Sequence, residues 1–383
     1  VFLALRDLRF ATGRFALMGS VVALISLLLV MLSGLTAGLG GQNTAAIDRL
    51  GEQGVQRLAF GGAADQEPTA SFTQSEFTVA QRDAWAATDG VASVEPLGVS
   101  QGRAIGLEHP VDTDPQGRAD VSGEPTTGVA TTAFIGLTPG GSDAPAGVEP
   151  GQIVLSQDVA DSLHAQTGDA VAVSGSVYTV ADVVPTEYYS HSPVTWLALE
   201  DWNAISHTAD DAVLGTAGLV RFAADADLDA VAAAGDHAAG TVAETVKGSY
   251  AALPSYRSEN GSLMTMQGFL YGISALVVIA FLSIWTVQRT RDIAVLKALG
   301  GSNGWVLKDS LAQAAFVLVG GVAVGTGLAT VIGAFAGRAV PFELSWATTA
   351  VPAAGVLVLG MLAAVVAVYR VTRIDPLVAL GGN

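Results

Sequence analysis

The sequence has no cysteine, which removes disulfides, thiolate metal sites, covalent haem attachment and a cysteine nucleophile together. Charge is scarce too: Asp, Glu, Lys and Arg make up 14% of the 383 residues, where an ordinary soluble domain carries about 25%. Little of that charge is positive, with 18 Lys and Arg against 35 Asp and Glu. No G-x-x-x-x-G-K-[ST] phosphate loop occurs, since Lys247, Lys297 and Lys308 all lack the glycine framework. Gly325-Thr326-Gly327 lies inside an apolar run and reads as helix packing. Neither H-E-x-x-H nor G-x-S-x-G is present. The histidines, His109, His164, His191, His207 and His237, show no ligand pair at helical spacing and read as surface or core residues. The chain is therefore expected to be no enzyme, with no metal site and no intrinsic cofactor. Any ATP is expected to be bound by a separate partner subunit.

What the sequence does have is long hydrophobic runs: Ala16–Leu39, Gln267–Val287, Leu311–Ala336 and Ala347–Tyr369. Each is long enough as a helix, at about 1.5 Å per residue, to cross a hydrocarbon layer of about 30 Å. The first follows Arg6, Arg9 and Arg14. It exceeds the roughly 7–15 apolar residues of a cleavable signal and ends without a small-x-small cleavage site, so it reads as an uncleaved anchor. Basic residues cluster before the first run, between the second and third, and after the fourth, which puts both termini and the connecting loop in the cytoplasm. Those inner segments hold nine basic and four acidic residues, a balance of +5, so the rest of the chain carries −22 of the total −17. Such an acidic outer block excludes nucleic acid as a partner.

The expected fold class is a membrane α-helical protein of four transmembrane helices, one plus three, with a large extracellular α+β domain inserted between helices 1 and 2. The boundaries expected are a cytoplasmic segment 1–15, helix 1 at 16–39, the extracellular domain at 40–262, helix 2 at 263–288 and a cytoplasmic loop at 289–310. Helix 3 at 311–336, an extracellular loop at 337–346, helix 4 at 347–370 and a cytoplasmic tail at 371–383 complete a multi-pass cell-membrane protein. Within the inserted block, Thr126–Leu137 alternates weakly, Ile153–Leu155 reads as a strand before a helical Gln157–His164, and Val177–Val184 is a strand ended by Pro185. Gly61–Ser75 and His109–Pro125 read as loops. Small residues four apart, at Gly34/Gly38, Gly268/Gly272, Gly321/Gly325 and Gly333/Gly337, favour close helix packing at about half of these places.

The loop after the second run is the most informative stretch: Arg289-Thr-Arg-Asp-Ile-Ala-Val-Leu-Lys-Ala-Leu-Gly-Gly-Ser-Asn-Gly304. Ile293, Leu296 and Leu299 fall at i, i+3 and i+6, giving a short amphipathic helix stopped by Gly300-Gly301. From spacing alone this is an interfacial helix or a docking element. The run resembles the signature of the FtsX-like permeases, the membrane subunits of MacB-type ABC transporters, with Asp292 where the family has Glu and Gly301 where it has Ala. Leu5-Arg-Asp-Leu-Arg9 is similar to the family's basic start, and Arg373-Ile-Asp-Pro-Leu-Val-Ala-Leu380 to its P-x-x-A-L ending. Gly151-Gln-Ile-Val-Leu-Ser156 with Gly168-Asp-Ala-Val-Ala-Val173 resembles its core domain. The resemblance implies a homodimer bound to two ABC ATPase subunits. Arg291, Asp292, Ile293, Leu296, Lys297, Leu299 and Gly300 would then couple to the ATPase.

The composition resembles the haem-exporting members of that family, so haem, or another amphipathic molecule taken from membrane lipid, is the expected transported ligand. A macrolide, a peptide or a lipid stands behind it. Extraction of lipid or lipoprotein, and non-transporting control of a cell-wall hydrolase or sensor, stay open as alternatives. The candidate ligand site is the entry to the second run, where Glu259, Leu263, Met266 and Leu270 form one stripe at i, i+4, i+7 and i+11. Met264 and Met266 are adaptable contacts, and Met and Tyr can ligate haem, which brings in Tyr256. Arg257 offers a partner for a propionate, and Met31, in the outer half of the first run, is expected to face the same site.

Overall fold

The computed structural model describes residues 12–62, 66–114, 118–121, 123–206, 210, 212–288 and 303–372. They divide into two compact units, a helical one containing residues up to Leu39 and from Asn260, and an inserted one spanning Gly40–Glu259.

Four helices are long and apolar enough to cross a membrane. They are α1 (Thr12–Glu52), α6 (Pro254–Gln288), α7 (Asn303–Ala336) and α8 (Trp346–Thr372). Each runs past its apolar stretch into polar sequence. The backbone ladder needs no apolar side chains to continue, and neither Gly40-Gly41 nor Gly261 interrupts it.

The helical unit has its own core, in which Met18, Val22, Ile25 and Leu29 of α1 meet Val278 and Leu282 of α6, Leu318 and Val322 of α7, and Val356 and Ala364 of α8. Glycine sets the closest crossing. A Cβ at Gly321 would lie 2.9 Å from the Gly19 carbonyl oxygen, and one at Gly325 would fall on the Ala23 carbonyl. Backbone-to-backbone contact of this kind replaces the hydrophobic driving force that hydrocarbon cannot supply. Gly34 and Gly333 do something else, forming a slot for the Phe342 ring, while Gly38 lies against Pro341. The Glu343 amide closes this strap on the Gly34 carbonyl at 3.0 Å. Around Gly268 and Gly272 the space is open.

The inserted unit begins with β1 (Arg57–Phe60), β2 (Phe77–Thr78), α2 (Val79–Ala86), β3 (Val91–Leu107), β4 (Thr126–Leu137), β5 (Gln152–Ser156) and α3 (Gln157–Leu163). It continues with β6 (Ala170–Val173), β7 (Ser176–Val184), β8 (Tyr188–Tyr189), β9 (Ser192–Ala198) and α4 (Leu199–Ser206). Then come β10 (Val213–Gly215), β11 (Ala217–Phe222), α5 (Leu228–Ala239), β12 (Val242–Thr245) and a 3-10 turn at Gly248–Ala252.

The strand order β12-β1-β11-β3, antiparallel throughout, joined by α2 and α5, is a split β-α-β layout. Its helices start on side-chain caps, Thr78 with Gln81 in a capping box and Asp227 for α5, and α5 stops at left-handed Gly240. Trp85 of α2 is fully buried, packs on Gly235 of α5, and donates its ring N–H to Thr241 at 2.9 Å. The second half of β3 belongs to another sheet. It pairs with β4 along its length and with β6 at Ala104–Gly106, so that β3-β4-β9-β5-β7-β6 closes into a ring of six strands. Gly98 and Gly136, facing each other across β3 and β4, leave room for the Trp202 indole, whose N–H reaches Ser100 Oγ at 3.0 Å.

If the Gly325 crossing holds the spans together, Gly325→Val should lower the melting temperature in detergent by several degrees. Overpacking a tight site costs about 1–3 kcal/mol. Gly327→Val, where nothing lies within 4 Å, should leave it unchanged; scanning fluorimetry of both variants checks the contrast.

Candidate functional site

Glu259 does not stand free. Its carboxylate lies 2.9 and 3.0 Å from Nε2 of His191 and accepts a hydrogen bond from Asn43 Nδ2 at 3.2 Å. All three residues belong to the inserted unit. Asn43 Oδ1 accepts from Ser255 Oγ at 2.6 Å, and Ser255 Oγ is 2.8 Å from Ser190 Oγ. Two backbone bonds complete the cluster: the Ser190 amide donates to the Asn43 carbonyl at 3.1 Å, and the His191 amide to the Gln42 carbonyl at 2.9 Å. The side chains of His191 and Glu259 keep 29% and 38% of their exposure, so the pair sits at a surface and not in a core.

Local chain geometry puts His191 there. Ser190 and His191 are the two-residue turn between β8 and β9, with φ of +48° and +64°. Positive φ at both central positions matches the twist of a two-residue hairpin, a place usually filled by Asn-Gly or Asp-Gly. Tyr189 beside the turn is buried, its ring edge-on to Phe72 at 5.7 Å, which fixes the strand from which the turn projects. Nε2 of His191 lies 3.0 Å from Asn43 Nδ2, which only donates, as well as 2.9 Å from Glu259, which only accepts when ionised, so a neutral ring satisfies one of these two contacts at a time.

The other residues expected at the ligand site fall in two groups. Tyr256 and Arg257 belong with Glu259 in the inserted unit, Tyr256 half-buried with its ring 5.4 Å from that of Tyr250, and Arg257 exposed. Met31, Leu263, Met264 and Met266 belong to the helical unit. There Met264 and Met266 are exposed, at 62% and 54%, while Met31 and Leu263 are half-buried. Gln267, next to Met266, donates to Thr36 Oγ1 of α1 at 3.2 Å, a polar tie between two spans. Leu270, last of the predicted stripe, packs against the membrane core instead of facing outward. The coupling residues Arg291, Asp292, Ile293, Leu296, Lys297, Leu299 and Gly300 lie outside the described residues.

Sequence reasoning missed Asn43, Ser190, His191 and Ser255. Ser-His is not a recognisable two-residue turn, and no pattern linked positions 43, 191 and 259 before the fold joined them. A second polar feature is a pocket of about 580 Å³ lined by Asp48, Arg49, Glu52, Gln53 and Glu187. Arg49 there pairs with Glu187 at 3.5 Å and lies over the Trp196 ring. Burial raises the Glu187 carboxyl above its ordinary range, an effect that Arg49 opposes and Glu52 reinforces. Among the described residues no three His, Asp or Glu side chains converge as a metal site would need.

Residues 264–376 match the family model described as FtsX-like permease C-terminal. Over all of this chain and 99% of its own length, a Staphylococcus epidermidis protein provisionally named hemin transport system permease protein HrtB is 22% identical. The uncharacterized ABC transporter permease Rv2563 of Mycobacterium tuberculosis is 34% identical over 30% of this chain and 32% of its own. Among solved structures, the extracellular domain of the ABC-type transporter YknZ from Gram-positive bacteria aligns with 50% of this chain and 98% of its own, at 12% identity and a TM-score of 0.32. Residues 264–376, which include the last three long apolar helices, thus carry an FtsX-like permease C-terminal region, and the chain as a whole aligns with a protein named as a permease.

Proposed function

We propose that the chain is the permease of an exporter that expels haem, or a similar planar amphipathic anion, from the membrane, as a homodimer driven by a separate ABC ATPase. The observation that carries this reading is the end-to-end alignment with a protein named for hemin transport. Alignment over the inserted domain as well as the spans matters, because the C-terminal spans alone are common to permeases of many kinds. ATP-driven closure of the ATPases would draw the two permease copies together through the segment Asp292–Leu299.

Met266 offers a thioether, a donor that haem iron accepts, and Glu259 offers a carboxylate. Arg257, exposed two residues before Glu259, carries the charge to pair with a propionate. The protein purified in detergent should shift the Soret band of haemin saturably. Glu259→Ala or Met266→Ala should weaken that binding about tenfold, equivalent to about 1.4 kcal/mol. A spectrum that never saturates would remove haem and leave a permease for another cargo or a transducer of force.

The coupling segment has its own test. Leu296→Asp puts a charge in the segment that would rest in the ATPase, so the ATPase should no longer co-purify with the permease, while the permease still folds as judged by size exclusion. Orientation is also accessible, because the chain is free of cysteine. A membrane-impermeant maleimide added to intact cells should label Thr167→Cys on the inserted domain and spare Ser302→Cys until the cells are opened. The reverse pattern would turn the proposed topology inside out.

A further inference from the structure

We propose that His191, Glu259 and Asn43 form one face of an exchangeable site for a divalent transition-metal ion, with Zn²⁺ as its probe. This inference does not depend on which molecule is exported. Three polar atoms from separated segments of the inserted unit meet here. His191 Nε2 lies 2.9 Å from Glu259 Oε2, and Asn43 Nδ2 lies 3.0 Å from the first and 3.2 Å from the second. An octahedral ion with bonds of about 2.1 Å holds neighbouring ligand atoms about 3.0 Å apart, where a tetrahedral one sets them about 3.4 Å apart. The triangle therefore has the edges of an octahedral face.

An ion also resolves the conflict at Nε2, which faces a donor and an acceptor at once. With the ring proton on Nδ1, Nε2 and the carboxylate present lone pairs to each other, and a cation turns that repulsion into shared ligation. The third corner needs the Asn43 carboxamide turned over, so that its oxygen faces the ion. Its neighbours accept the exchange: Ser255 Oγ, which donates to Asn43 Oδ1, can instead take a hydrogen bond from the –NH2 and give its own to Ser190 Oγ.

The surroundings favour a cation that comes and goes. Residues 40–259 hold 30 Asp and Glu against 8 Lys and Arg, so the domain attracts positive ions. His191 is the one ion-pair partner of Glu259 among the described residues. Arg257 precedes Glu259 by two residues on α6, a spacing that puts the two on different helix faces. The backbone bonds from the turn to Gln42 and Asn43 hold the imidazole in place, and the half-exposed pair leaves the opposite face of the ion to water. One imidazole beside two oxygens suits a borderline ion better than Mg²⁺ or Ca²⁺. With an amide in place of a third His, Asp or Glu, the ion is held loosely and exchanges, unlike a resident structural metal.

The experiment is calorimetric titration of Zn²⁺ into the full chain in lipid nanodiscs, stripped with chelator, free of haemin and in excess Mg²⁺. Wild type should take up one Zn²⁺ per chain saturably. His191→Asn, which keeps a residue tolerant of the φ of +64° at this position, should lose that site. Asn43→Asp replaces the amide oxygen by a charged one and should bind about tenfold more tightly. No saturable uptake in wild type overturns the site without reference to any variant. Uptake unchanged in His191→Asn overturns it by assigning the ion to another histidine, and weaker binding in Asn43→Asp overturns the triangle by removing Asn43 as its third corner.

Discussion

Inside hydrocarbon a peptide group has no water to turn to, so every N–H and C=O must be bonded within its own segment. That demand produces the four long helices. Asn43, Asp48 and Arg49 sit on the last turns of α1, and Ser255 and Glu259 on the first turns of α6. The polar cluster thus joins helix residues to the two-residue turn that carries Ser190 and His191. Side chains on helices hold their positions to a fraction of an ångström more readily than loop residues do.

Within the helical unit, glycine plays two different parts. At Gly321 and Gly325 it lets two backbones touch, and at Gly34 and Gly333 it makes a slot for an aromatic ring from the strap after α7. The same i, i+4 spacing therefore serves a helix partner in one place and a loop side chain in another. Which of the two applies depends on what the fold brings near.

The helical half of the fold was legible because its signal is a property of composition: twenty apolar residues in a row announce themselves. In the inserted half, Thr126–Leu137 and Val177–Val184 were readable as strands from alternation and the proline that follows. The longest strand, Val91–Leu107, was not, since Pro96, Gly98, Gly102 and Gly106 break its pattern. Gly98 and Gly106 are there to admit neighbouring groups, Trp202 and Leu163, and only tertiary contact explains them. Glu259 attracted notice as a carboxylate near a span. Its partners did not, because positions 43, 191 and 259 are joined by folding and by nothing local. Leu270, placed on the ligand stripe by spacing, is held by core packing instead.

β3 is shared by two sheets: Val91–Leu97 pairs with β11 in the split β-α-β layer, and Gly98–Leu107 pairs with β4 and β6 in the closed ring. A single strand common to both works as a beam through the whole inserted domain. Tension along it loads many ladder bonds at once, in shear, whereas two subdomains joined by a linker would peel apart one bond at a time. The domain is accordingly stiff along that axis, and a displacement applied at one end arrives at the other without being lost in a hinge.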